Sequence, residues 1–155
     1  MDEKHELPEE LHDRLLEILD DAMRVGNAAC GKIRIFDGKT LKIEAHRGLS
    51  DDFVEAFEAI TPEEELASAR AARLKRRVSI PDLAHDPLSK PYADAGREEG
   101  FKAMQATPIL ASDGRVLGTL STHFPDFHQT SIAAGLVLDF CADKAATLIE
   151  RFLAA

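Results

Sequence analysis

Two short stretches bring together the side chains best suited to binding chemistry. Gln105 and Thr107 alternate with apolar neighbours, and so do Thr119, Ser121 and His123. Alternate residues of an extended strand share a face, so each stretch would present a row of donors and acceptors. In the middle of a sheet, such a face suits recognition of a small polar molecule better than a dry core. Bonding to nearby backbone and helix ends is the competing role, and both suit these residues equally. Ser68, Asp82 and Tyr92 are further polar candidates, from the segments before and after the short strand at 77–80. Ser68 is read as a hydrogen-bond donor or as a plain helix residue. Asp82 follows Pro81 and Asp86 precedes Pro87, where fixing a turn is the favoured duty.

Bond-breaking chemistry finds little support. The chain has no G-x-S-x-G, no P-loop and no H-E-x-x-H. Its histidines are His5, His12, His46, His85, His123 and His128, and no two share a helix at the spacing of a metal pair. Cys30 and Cys141 stand among apolar residues without a C-x-x-C, which predicts two buried thiols. The expectation is a binding protein rather than an enzyme, with no metal and no cofactor identified.

The net charge of −9 argues against a nucleic-acid partner, which would call for a basic face. The basic run 73–77 reads as a solvated helix end leading into a strand. The acidic N-terminus lacks the apolar core of a signal peptide, and no apolar run approaches the roughly 20 residues of a membrane span. A cytoplasmic protein with no membrane contact is expected.

The 155 residues fit one domain, 1–155, able to bury a core without staples. An opening helix is predicted from Pro8 to Arg24, with Leu11, Leu15, Ile18, Leu19, Ala22 and Met23 at helical spacing. Strands 32–37 and 41–46 flank Asp37-Gly38-Lys39-Thr40, a hairpin signal. A helix is predicted over 51–60, and a second from Thr61-Pro62-Glu63-Glu64 towards Leu74. A short strand over 77–80, a loop, a short helix over 92–99, and strands 101–111 and 115–124 around Ser112-Asp113-Gly114 follow. A closing helix begins near Thr130. Hairpins imply antiparallel pairing, so the class is α+β, with helices on an antiparallel sheet.

The stretches GFKAMQATPIL (100–110) and DGRVLGTLSTHF (113–124) resemble the last hairpin of the GAF family of bacterial sensor domains. AHRGL (45–49), VSIPDL (78–83) with Asp86-Pro87, and AATLIER (145–151) resemble other GAF segments in the same order. The resemblance implies an antiparallel sheet of five or six strands, although the residue patterns alone yield five. It also implies terminal helices on one face and a ligand pocket on the other, in a GAF/PAS-like arrangement. The cysteine that many relatives carry before the third strand is replaced here by Ser68. The several cysteines of GAF-type methionine sulfoxide reductases and the Asn-Lys signature of cyclic-nucleotide binders are missing, since Ala28 follows Asn27. Neither Cys30 nor Cys141 suits covalent bilin attachment. Some relatives bind haem, for which His123 would be the ligand, but a structural histidine is the favoured role.

These readings point to a small-molecule-sensing regulatory domain in signal transduction. Its partners would be an unidentified small molecule, a second copy forming a homodimer through the terminal helices, and a histidine kinase or other effector in trans. The chain ends within the expected relay helix, so its output is expected either to act in trans or to lie outside this sequence. In the closing helix Val137, Leu138, Cys141, Ala142, Ala145, Ala146, Leu148, Ile149, Phe152 and Leu153 spread over half the circumference, which implies contact with the sheet and with a further surface, the first helix of the same chain, a second subunit or both. The alternative is a scaffold or dimerisation module with a vestigial pocket, plugged by Phe53, Phe57 or Met104.

Overall fold

Strands β1 (Cys30–Phe36) and β2 (Leu41–Arg47) turn about Asp37, whose Oδ1 accepts from the backbone N–H groups of Lys39 at 2.9 Å and Thr40 at 2.7 Å. Gly38 takes the positive φ that the turn demands. The computed structural model describes residues 7–154, so His5 and the start of the acidic N-terminus lie outside the described residues. Helix α1 (Glu9–Arg24) comes first, with Glu9 and Glu10 at its positive end. After β2 come α2 (Asp51–Ala56), β3 (Ala59–Ile60), α3 (Ala67–Leu74) and β4 (Val78–Ile80). Two 3-10 turns, Leu83–His85 and Lys90–Tyr92, lead into α4 (Ala93–Glu99), and β5 (Ala103–Leu110), β6 (Val116–Phe124) and α5 (Ile132–Ala154) close the chain.

The six strands form one sheet in the order β3-β2-β1-β6-β5-β4, and every neighbouring pair is antiparallel. The class is therefore α+β, as the two hairpins imply. The sixth strand arises inside a stretch expected to be helical. Helix α2 is capped by Ser50, whose Oγ accepts from Phe53 N–H, and it stops at Ala56 rather than residue 60. Ala59 and Ile60 instead pair with Lys42 and Leu41 on the open edge of β2, and Ile60 is buried there. Glu64 does reach back to the Thr61 N–H at 2.7 Å, yet the pair closes a turn, and α3 begins only at Ala67. Edge pairing and the burial of Ile60 outweigh local helix preference, a tertiary override of propensity.

Helices α1 and α5 cover one face of the sheet. Leu15 and Leu19 of α1, Leu138 and Ile149 of α5, and Ile33, Ile109 and Leu120 of the sheet share that core. The other face is covered by α2, α3, α4 and the 3-10 turns, with Phe53, Ala71, Ile80, Leu83 and Phe101 beneath them. Both faces of β1 and β6 are consequently dry. No helix among the described residues is long and apolar enough to cross a membrane.

Candidate ligand-binding site

The register of the central strands decides which side chains meet. Lys32 lies opposite Ser121, Arg34 opposite Thr119, and Cys30 opposite His123. Residues directly opposite across a ladder share a face. Lys32, Arg34, Thr119, Ser121 and His123 therefore stand together under α2, α3 and α4.

The neighbouring strand runs in the other phase. Ala106 lies opposite Ser121 and Met104 opposite His123, whereas Gln105 faces Thr122 and Thr107 faces Leu120. Gln105 and Thr107, expected beside the ligand, thus belong to the α1–α5 side. There Gln105 Nε2 donates to Thr122 Oγ1 at 3.0 Å, and Thr107 Oγ1 donates to Gln105 Oε1 at 2.6 Å. Arg77 Nη1 approaches Thr107 Oγ1 at 3.4 Å and pairs with Asp139 of α5 at 2.6 Å. Period-2 spacing fixes the partition within one strand, but only register fixes it between strands.

Over the polar face lies an aromatic roof. Phe53 and Phe57 of α2 pack at 4.7 Å between ring centroids, Phe53 meets Phe101 edge-on at 5.8 Å, and Tyr92 meets Phe57 at 6.4 Å. Phe101 also lies 4.3 Å from the His123 ring. Between roof and sheet is a cavity lined by Lys32, Arg34, Ser68, His123, Met104 and Tyr92 among others. It leaves about 30 Å³ in which the centre of a water molecule can sit, room for one or two waters. A larger groove of about 300 Å³ runs between α1 and α5. It is the more open of the two, and Lys144 and Asp21 on its walls pair with each other at 3.7 Å.

The cavity beneath the aromatic roof carries basic side chains. Lys32 is 3% exposed and Arg34 fully buried. Arg34 Nη1 donates to the carbonyls of Phe57 at 2.8 Å, Leu41 at 3.2 Å and Glu58 at 3.4 Å. Its Nε and Nη2, together with Thr119 Oγ1 and His123 Nδ1, are buried without a hydrogen-bond partner. Lys32 Nζ lies 2.8 Å from His123 Nε2. Burial pushes Arg34 down to about 10, opposed by the charge of Glu64. Burial, and then Arg34, hold Lys32 well below its usual range. Burial, and then Lys32 and Arg34, do the same to His123.

Of the residues singled out from the sequence, Ser68, Tyr92 and His123 line the cavity. Ser121 lies under Ser68, their hydroxyl oxygens 3.0 Å apart, and Thr119 shares the face. Asp82 is engaged elsewhere: its Oδ1 accepts from Ala84 N–H at 3.1 Å, and its Oδ2 meets His85 Nδ1 at 2.6 Å. That is the turn duty its neighbour Pro81 suggests. Phe53, Phe57 and Met104, named as plugs for a vestigial pocket, form its walls. Lys32 and Arg34 were not foreseen, because Lys-Ile-Arg-Ile reads as a strand with its charged side in water. Cys30 is buried on the cavity side, where burial pushes its thiol up to about 11. Cys141 is buried on α5, on the far side of the sheet. Among the described residues no group of three or more His, Cys, Asp and Glu could hold a metal.

Comparison with known proteins agrees with this architecture. A family model for the GAF domain matches residues 8–149. The chain is similar to the GAF domain of a phosphoenolpyruvate-protein phosphotransferase from Coxiella burnetii, at 18% identity and TM-score 0.79, over 93% of this chain and 84% of that one. It is similar to a domain assigned to a two-component sensor histidine kinase of Sinorhizobium meliloti 1021, at 19% identity and TM-score 0.78, over 95% and 96%. A type II free methionine-R-sulfoxide reductase from Thermoplasma acidophilum is also similar, at 16% identity and TM-score 0.74, over 93% and 95%. At these identities the likeness is one of fold. No curated protein matches by sequence.

Proposed function

Because the chain belongs to the GAF domain family, we propose that it is a small-molecule-sensing regulatory module of signal transduction. The observation that carries this reading is the polar, cationic sheet face held dry beneath a roof of short elements. Buried polar atoms without partners are rare in native proteins, and Arg34, Thr119 and His123 each contribute at least one. A ligand seated there would meet Arg34 and His123, both of which line the cavity. Its arrival would bias the packing of α2 and α4 against the sheet, a population shift set by differential affinity.

Regulation rather than catalysis is the reading supported by the cysteines. A thiol redox cycle needs an attacking thiolate and a resolving partner. Cys30 and Cys141 lie on opposite sides of the sheet, and burial raises the pKa of both. Ser68, which stands where relatives often carry cysteine, is bonded to Ser121.

Output is read through α5. Ile132, Leu136 and Phe140 are 88%, 66% and 63% exposed and recur every fourth residue, which aligns them on one helix face. This row supports a homodimer through the terminal helices, or docking of a kinase or other effector in trans. It differs from the row expected at first, because Leu138, Cys141 and Ile149 point into the core. The scaffold reading draws on the small free volume beneath Phe53 and Phe57.

Native mass spectrometry of the purified protein addresses both readings. Sensing predicts a retained small molecule, or one taken up on exposure to cell extract. A dimer that takes up nothing from extract favours the scaffold. Leu136→Glu with Phe140→Glu should convert dimer to monomer; an unchanged subunit count rules out that face.

A further inference from the structure

Among the described residues the cavity is lined by two buried basic side chains, Lys32 and Arg34, and by no carboxylate. Lys32 and Arg34 stand two residues apart on one face of β1, about 7 Å at the usual strand rise. Lys32 Nζ meets only an imidazole, and Arg34 meets only backbone carbonyls, all through Nη1. The buried Nε and Nη2 form the side-on edge of that guanidinium, and both are unpartnered.

Arg70, a second buried arginine, gives the comparison. Its Nη2 donates to Asp86 Oδ2 at 2.9 Å and to Ser89 Oγ at 2.8 Å, and its Nε donates to the Glu65 carbonyl at 2.9 Å. The fold thus supplies a carboxylate to one buried guanidinium and none to the other. Glu64 exerts its charge on Arg34 from beyond ion-pair range, and its Oε2 is taken by Thr61 N–H. A buried charge left unpaired is strongly unfavourable, and here a second basic side chain on the same strand face compounds it.

We infer that this cavity receives a small organic carboxylate. Its two oxygens lie side-on against Nε and Nη2 of Arg34, Lys32 supplies the second charge, and its apolar body lies against Phe53, Phe57 and Met104. This rests on the reading of the cavity as a ligand site and deepens it. The parallel N–H pair of a guanidinium edge matches the two oxygens of a planar carboxylate. A phosphate offers further oxygens that the apolar roof would leave without donors. The small free volume means that the roof moves outward to admit the ligand, so only compact acids fit.

The experiment is thermal denaturation with acetate, isobutyrate and benzoate at millimolar concentration, each against its neutral amide, with inorganic phosphate and chloride as further arms. At least one acid should raise the melting temperature, with no response to its amide or to phosphate. Lys32→Met should weaken binding of that acid by about 10- to 100-fold, the worth of a charge-assisted contact. The same variant should melt higher than wild type without any probe, since it removes a buried amine that meets only an imidazole. Arg34→Lys, which keeps the charge but loses the fork, should bind the acid more weakly than wild type. An equal response to amides leaves the sensing reading intact and overturns the carboxylate. Phosphate or chloride acting as well as the acids indicates an adventitious ion only and overturns it too. So does silence towards every acid, or undiminished acid binding by Lys32→Met.

Discussion

Lys32 Nζ and His123 Nε2 lie 2.8 Å apart in the buried interior of the sheet; burial, and then Lys32 and Arg34, disfavour the charged form of His123, while burial, and then Arg34, disfavour that of Lys32. Their strands are antiparallel neighbours, so the contact is built by register rather than by a local motif. Protonating both would place two cations in contact, with the guanidinium of Arg34 on the same face. At most one of them is charged at neutral pH.

This contact has a consequence for stability. His123 is held below its ordinary value of 6.5 in the folded protein, while the unfolded chain titrates normally. As pH falls through 6.5 the unfolded state takes up a proton that the native state refuses, so stability declines, by at most about 1.4 kcal/mol per pH unit for one such group. His123→Gln should flatten the denaturation midpoint between pH 6.5 and 5. Asp37, Asp82, Asp86 and Asp113 are held below their ordinary 3.8 and act only at lower pH, where their stabilisation is lost. An unchanged slope in the variant would show that His123 titrates normally.

Thr107 separates the two faces of the sheet by experiment. Thr107→Val removes the donor to Gln105 Oε1 and leaves that buried oxygen unsatisfied, which costs about 1–3 kcal/mol. The melting temperature should drop, while the shift produced by an active carboxylate stays as in wild type. Loss of that shift would put Thr107 back at the ligand.

Gly118 lets β6 approach β1 where Arg34 is anchored. A methyl group there would collide with the Arg34 carbonyl oxygen. Gly118→Ala should therefore destabilise the fold by about 1–3 kcal/mol, the usual range for overpacking. It should also weaken carboxylate binding, because the strand that carries the guanidinium is displaced. A variant as stable as wild type in chemical denaturation would mean that the strands part without strain.

Much of the architecture was legible in local signals. Asp37-Gly38 and Asp113-Gly114 announced both hairpins, and the apolar spacing of α1 matched the face it buries. The strand at Ala59–Ile60 was not legible, since its two residues owe their conformation to the free edge of β2. The site was half legible. Ser121 and His123 followed from alternation within β6, but Gln105 and Thr107 were misplaced because the phase of one strand against the next is a tertiary quantity. Lys32 and Arg34 were hidden by the ordinary rule that charge faces water. That rule fails here because short helices and turns, distant in sequence, cover the second face of β1.

Carbon-13 methyl spectra of methionine test the site itself. Met104 forms part of the cavity wall, whereas Met23 packs on the α1–α5 side. On titration with the acids and amides, a ligand bound beneath the aromatic roof moves the Met104 signal and leaves Met23 in place. A response at Met23 alone, or at neither methyl across the whole series, would contradict a binding site between the roof and the cationic face.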